Sequence, residues 1–225
     1  MDHEVMEGLM HFANRESAVR ALYERMESII DETCRSQGAA SVLLSGGSTP
    51  LPVYEKLFQS TQDFSQTHFG LVDDRFVPID DPSSNEGNLR NLFKHRTDIH
   101  FVGMVSDSEN YRKSIEHCAA DYQPFHHGTI AILGMGNDGH FASLFPSDNP
   151  SMEGLTADHL GIIGTNAPSE SRQRISTNLP FLLSFQHRIL FITGEDKFLK
   201  LEQSKRELTP IAYIFDQLTE IYYAP

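Results

Sequence analysis

At 225 residues, 39 % hydrophobic and 22 % charged, the chain is long enough to bury a large core and has the composition of a globular protein. Its formal charge of −13 argues against nucleic-acid or membrane binding through a basic surface. It leaves room for a small anionic ligand gripped by a few converging cations.

The first ten residues are acidic and lack an apolar signal core, and no apolar run approaches the roughly 18 residues that a membrane span needs. Cys34 and Cys118 lie outside any CxxC pair, which predicts free thiols and a reduced, cytoplasmic setting. The eleven histidines are scattered without zinc-site spacing, so no metal is expected.

Along the chain, Asn14 or Ser17 is placed to cap a helix reaching about Arg35, with Ala18, Leu22, Met26, Ile29 and Ile30 as its core stripe and Gly38 as its stop. Ser41–Leu44 reads as a buried strand. It runs into SGGSTP (45–50) and then a helix from Leu51 to about Phe58. A tight turn with Gly46, Gly47 and Ser48 at a helix start has the layout of a phosphate cradle, because amide groups and the helix dipole point at one spot. A plain strand-to-helix turn with a serine cap is the competing reading.

His68–Val72 is the next strand, followed by Asp73, Asp74 and Arg75. Charged groups at a strand's carboxyl end are costly to bury unless paired, so they are site candidates, with a solvated ion pair as the alternative. Ser84 is placed to cap a helix through Leu92. Ile99–Val102 is a weak strand, and Ser108 to about Tyr122 a helix.

Thr129–Leu133 is a charge-free strand that opens into a glycine-rich loop, LGMGNDGHFASLFP (133–146). Asp138 and His140 flank Gly139 just past the strand, where open α/β sheets bind ligands. A capping aspartate beside a surface histidine would look the same in isolation. Ser143 lies in no GxSxG elbow, so a Ser-His-Asp triad is not indicated.

Residues 147–158 read as turns, Leu160–Gly164 as a strand, and 166–173 as loop. Arg172 and Arg174 bracket the approach to an apolar segment. Arg188–Ile192 is a strand by β-propensity. It breaks at Thr193-Gly194 into a helix from Glu195 to about Leu208. Lys197 opposes the dipole in its first turn, as a bound anion would require, unless it is merely solvated. A short helix (210–218) and a strand at Glu220–Tyr223 end the chain.

Strands alternating with helices predict one Rossmann-like α/β domain over residues 1–225, a mostly parallel sheet with helices on both faces. The ends after Leu44, Val72, Leu133 and Ile192 then share one edge, so four motifs converge on one crevice.

With SGGSTP, DDRFVP, DPSSN (81–85), the 133–146 loop, RISTNLP (174–180) and ITGEDK (192–197) in that order, the sequence resembles the 6-phosphogluconolactonase family, within the larger group that includes glucosamine-6-phosphate deaminase. The resemblance implies the deaminase-like fold and hydrolysis of a 6-phosphorylated δ-lactone without any cofactor. It implies that Gly46, Gly47 and Ser48 cradle the phosphate, that Arg174 and Lys197 approach it, and that Arg75 lies in the site. It further implies that His140 activates water beside Asp138, with Asp73 and Asn137 at the substrate. Asp74 stands where the family usually has glutamate, Asn137 where it often has proline, and Ser-Thr-Asn follows Ile175 where Thr-Leu-Thr is common. The last departure makes Arg172 a rival to Arg174.

Two other functions are weighed. A deaminase-isomerase would use Asp73 to shuttle a proton, but residues 142–146 offer no carboxylate where deaminases have one. A non-catalytic sugar-phosphate sensor would keep the cradle and lose the acid–base group. The expected partner is a small sugar phosphate, and monomer and homodimer are both open.

Overall fold

In a computed structural model of the chain, residues 7–168 and 172–225 are described. Seven strands form one parallel sheet: β1 (Leu9–His11), β2 (Ala40–Leu44), β3 (Thr67–Leu71), β5 (His100–Phe101), β6 (Ile130–Leu133), β9 (His187–Thr193) and β10 (Glu220–Ala224). Their order is β1-β10-β9-β6-β2-β3-β5, and every pairing is parallel. The expected α/β class holds.

The chain runs outward from β2 through β3 to β5. It then crosses back to the other side of β2 and continues through β6, β9 and β10. The direction of winding therefore reverses between β2 and β6, and the crevice outside that reversal is where doubly wound sheets bind ligands. Every residue of β6 is buried, as a central strand covered on both faces must be.

Helix α1 (Arg15–Gln37) starts at Asn14, whose side chain accepts from the Ser17 amide, and ends at Gly38 with φ 86°. Its stripe of Ala18, Leu22, Met26, Ile29 and Ile30 is buried. Helices α2 (Leu51–Gln59), α3 (Asn85–Phe93), α4 (Tyr111–Asp121) and α7 (Glu195–Glu207) also lie within a residue or so of expectation, apart from the later start of α4.

The strict alternation of strand and helix does not hold. Directly after β3 the chain enters β4 (Asp73–Arg75), the edge of a separate antiparallel sheet ordered β4-β8-β7. Strands β7 (Ile162–Asn166) and β8 (Gln173–Thr177) complete it, so the strand expected at Leu160–Gly164 is shifted and does not join the parallel sheet. Val72 links the two sheets. Its amide donates to Leu44 O at 3.0 Å, and its carbonyl accepts from the Thr177 amide at 3.0 Å.

Two further helices are α5 (Asn149–Thr156), in a stretch read as turns, and α6 (Leu179–Leu183), in the apolar segment to which no element was assigned. Their caps are sequence-local: Asp148 accepts from Ser151 N, and Asn178 from Phe181 N. Helices α4 and α5 both pack on β7 of the antiparallel sheet. The helix expected over 210–218 is two 3₁₀ turns, Pro210–Tyr213 and Phe215–Gln217. Proline starts the first, and the Ile211 amide is pulled out to Gly139 O at 2.9 Å. No described helix is long and apolar enough to cross a membrane.

Candidate active site

Four of the sheet's central strands, β9, β6, β2 and β3, send their carboxyl ends to one edge. After β2, Ser45–Pro50 forms a turn with Gly47 at φ 92°. At Gly46 the constraint is close approach: a Cβ there would lie 2.0 Å from Asn85 Oδ1. Asn85 in turn donates from Nδ2 to Asp73 O at 3.0 Å. Arg15, at the start of α1, donates to the Ser48 carbonyl from outside the turn.

Strand β4 sets Asp73 and Arg75 on one face and Asp74 on the other, by the two-residue period of a strand. Asp74 is fully buried. It accepts from the amides of Asn85 (2.7 Å), Glu86 (3.1 Å) and Arg75 (2.7 Å), and so ties the start of α3 to β4. Burial outweighs these hydrogen bonds and pushes its carboxyl up to about 7. Asp73 is also buried, and its Oδ2 accepts the Ser143 hydroxyl at 2.6 Å. The Arg75 guanidinium donates to the Ser83 carbonyl.

The loop after β6 folds back on itself. Gly139, at φ 80°, donates to Gly136 O at 3.0 Å, and Gly136 N donates to His140 O at 2.9 Å. This turn lays the His140 ring over Asp138, with Nδ1 2.6 Å from Asp138 Oδ1. The carboxylate also accepts from the His140 amide at 3.2 Å. Burial raises the Asp138 carboxyl, but its hydrogen bond to His140 and their mutual charge together hold it below the ordinary value. Phe145 packs against the imidazole, ring centroids 4.6 Å apart.

After β9, Gly194 (φ 94°) leads into α7 and places Lys197 in its first turn. Half-burial lowers the Lys197 pKa, because the charged form loses hydration.

These parts meet in two adjoining cavities. One, of about 290 Å³, is lined by the 45–50 turn, Asp73, Arg75, Asn85, His140 and Lys197. The other, of about 460 Å³, is lined by Asn137, Asp138, Ser143, Pro168 and Arg174. Asp73, Arg75, His140 and Ala142 border both. Asn137 also lines a recess with Lys197 at the start of α7.

Of the residues singled out from sequence, Gly46, Gly47, Ser48, Asp73, Arg75, His140 and Lys197 surround the first cavity. Asn137, Asp138 and Arg174 are at the second, so Arg174 and Lys197 line different compartments. Arg174 is buried opposite Arg75 in the β4–β8 register, whereas Arg172 is exposed and lines neither cavity. Burial, then the neighbouring Arg75 charge, lowers the Arg174 pKa.

Asn85, Ser143 and Arg15 were not singled out. Asn85 closes the DPSSN motif and Ser143 sits in the glycine-rich loop, so position within a motif was the available signal. Nothing local marks Arg15, which is 33 residues from the carbonyl it holds.

A doubly wound sheet thus brings a glycine turn, a histidine–carboxylate pair and the cations Arg75 and Lys197 to one crevice. The chain belongs to the glucosamine-6-phosphate isomerase/6-phosphogluconolactonase family, whose model matches residues 13–222. It is 34 % identical over 202 residues to a 6-phosphogluconolactonase of Pseudomonas putida, covering 84 % of this chain and 81 % of that one. It is 30 % identical over 199 residues to that of Xylella fastidiosa, covering 86 % and 83 %. Among solved structures, a 6-phosphogluconolactonase from Shewanella baltica superposes with TM-score 0.90 at 25 % identity, covering 97 % of this chain and 98 % of that one. One from Thermotoga maritima shares the fold with TM-score 0.80 at 24 % identity, over 96 % and 97 %.

Proposed function

We propose that residues 1–225 act as one catalytic domain that hydrolyses 6-phospho-D-glucono-1,5-lactone to 6-phosphogluconate, a step of the oxidative pentose phosphate pathway. The observation that carries this reading is the Asp138–His140 pair at the border of a cavity that also holds the Gly46–Ser48 turn, Arg75 and Lys197.

Asp138 accepts the proton on Nδ1 of His140, which leaves Nε2 as the basic nitrogen. Nε2 takes a proton from water as the water oxygen bonds to the lactone carbonyl carbon. Collapse of the tetrahedral intermediate breaks the bond to the ring oxygen, which receives that proton from the imidazolium. The new carboxylic acid then ionises and releases acid. Positioned proton transfer of this kind contributes roughly 10²–10⁴-fold.

The phosphate sits at the glycine turn and Lys197, and this anchoring holds the carbonyl near His140. Arg75, Asp73, Asn137 and Arg174 line the space left for the sugar. The chemistry calls on no metal or organic cofactor. The reading includes a cytoplasmic location, supported by the free thiols of Cys34 and Cys118.

The test is acid release from freshly prepared lactone, measured above the spontaneous rate. His140→Ala is expected to lose at least about a hundredfold. A near wild-type rate in that variant overturns the role of His140. Ammonia release from glucosamine 6-phosphate would instead indicate a deaminase, and binding without turnover a sensor.

A further inference from the structure

We propose that Ser143 is a positioning residue for this site: its hydroxyl holds Asp73 so that the second carboxylate oxygen accepts a hydrogen bond from the sugar hydroxyl beside the lactone carbonyl. The proposal rests on the lactonase reading and deepens it.

Ser143 is almost wholly buried, and all its polar atoms are engaged. Its amide donates to Ser176 Oγ at 3.2 Å, its carbonyl accepts from Thr165 Oγ1 at 2.7 Å, and its hydroxyl donates to Asp73 Oδ2 at 2.6 Å. The two backbone bonds fasten the loop after β6 to the antiparallel sheet without help from the side chain. The hydroxyl therefore has one task, which is Asp73. It is no nucleophile: its proton is given to the Asp73 carboxylate and not to an imidazole nitrogen.

Asp73 is held elsewhere too. Its backbone is paired with Ser176 across β4 and β8, and its carbonyl accepts from Asn85 Nδ2. Its Oδ1 accepts no hydrogen bond among the described residues, although the side chain borders both cavities together with His140. Asp73 lines both cavities with one oxygen pinned, beside the Arg75 and Arg174 charges, and its second oxygen is left to accept from a ligand donor. Since His140 must lie at the carbonyl carbon, a carboxylate bordering the same two compartments is at that end of the sugar, where the neighbouring hydroxyl is the available donor.

The experiment is a double-mutant cycle on kcat/KM with Ser143→Ala and Asp73→Ala, run on 6-phosphogluconolactone and on its 2-deoxy analogue. Ser143→Ala is expected to lower kcat/KM about tenfold on the natural lactone, the scale of one hydrogen bond to a charged group. In the Asp73→Ala background, or on the 2-deoxy substrate, the same change is expected to cost less than about twofold. Equal losses in all three settings would mean a merely structural role and would overturn the proposal. Thermal melting checks folding. If Ser143→Ala does not fold, the near-isosteric Ser143→Cys, a weak donor, is measured in the same cycle against the same criterion. Turnover absent from the wild-type protein would overturn the lactonase reading itself, whereas turnover with additive losses would overturn only the role of Ser143.

Discussion

His140 Nδ1 and Asp138 Oδ1 lie 2.6 Å apart although only Gly139 separates the two residues. Gly139 makes this possible by adopting φ 80°, which turns the chain so that both side chains rise on the same side. The carboxylate fixes the ring's tautomer and orientation. Asp138→Asn is therefore expected to reduce kcat by about tenfold to a hundredfold while KM changes little. Steady-state kinetics on the lactone checks this, and a change confined to KM would contradict it.

Gly136 is sealed against the same pair. A Cβ there would lie 2.2 Å from His140 Cε1 and 2.7 Å from Asp138 Oδ1. Gly136→Ala is expected to displace the ring and to cost at least as much activity as Asp138→Asn. Its far-ultraviolet circular dichroism should remain that of the parent, because the clash is with side chains. Kinetics and spectroscopy on one preparation separate local displacement from unfolding.

Lys197 supplies a half-buried positive charge beside the glycine turn, and it has no carboxylate partner among the described residues. Lys197→Met is expected to raise KM by about tenfold to a hundredfold, since a charged hydrogen bond to the ligand is lost. Burial lowers the lysine's pKa, so its charge disappears as pH rises through a value below the ordinary lysine range. The wild-type KM should rise there, and in Lys197→Arg it should not, because a guanidinium stays charged. A KM-against-pH profile for the two proteins decides the matter.

Asp74 links the site to folding stability. Its carboxyl is raised from 3.8 to about 7 in the folded protein, so the folded state favours the protonated form. The stabilising contribution is then fully present below about 3.8 and is lost as pH rises through about 7. The difference in melting temperature between wild type and Asp74→Asn, which cannot titrate, should shift in favour of wild type as pH falls from 8.5 to 5, values chosen to bracket roughly the folded titration. Melting curves across that range test it, and a shift in the opposite direction would mean that the three amide hydrogen bonds outweigh burial.

Much of the frame was legible because its signals are local. Strands β2, β6 and β9 read as apolar runs because both of their faces are covered, and α1 announced itself through its cap, its stripe and its closing glycine. The motifs at the strand ends were legible for the same reason: glycines, a histidine and cations stand out where a chain leaves a buried strand.

The antiparallel sheet was not legible. Asp73–Arg75 is three polar residues long, and its partner β8 lies about a hundred positions further on, so neither segment carries a periodic pattern of its own. The buried setting of Arg174, its neighbour Arg75 and its place in the second cavity all follow from that pairing. The same holds for Ser143, whose partner Asp73 is 70 residues away.

By itself the sequence determined the parallel α/β frame, the edge to which its motifs return, and the chemical character of those motifs, because burial and backbone conformation are written residue by residue. Only the tertiary structure decided which groups touch: His140 on Asp138, Ser143 on Asp73, Arg174 beside Arg75. Those contacts arise from a second sheet and a folded-back loop, whose pairings join distant segments and are set by packing rather than by local pattern.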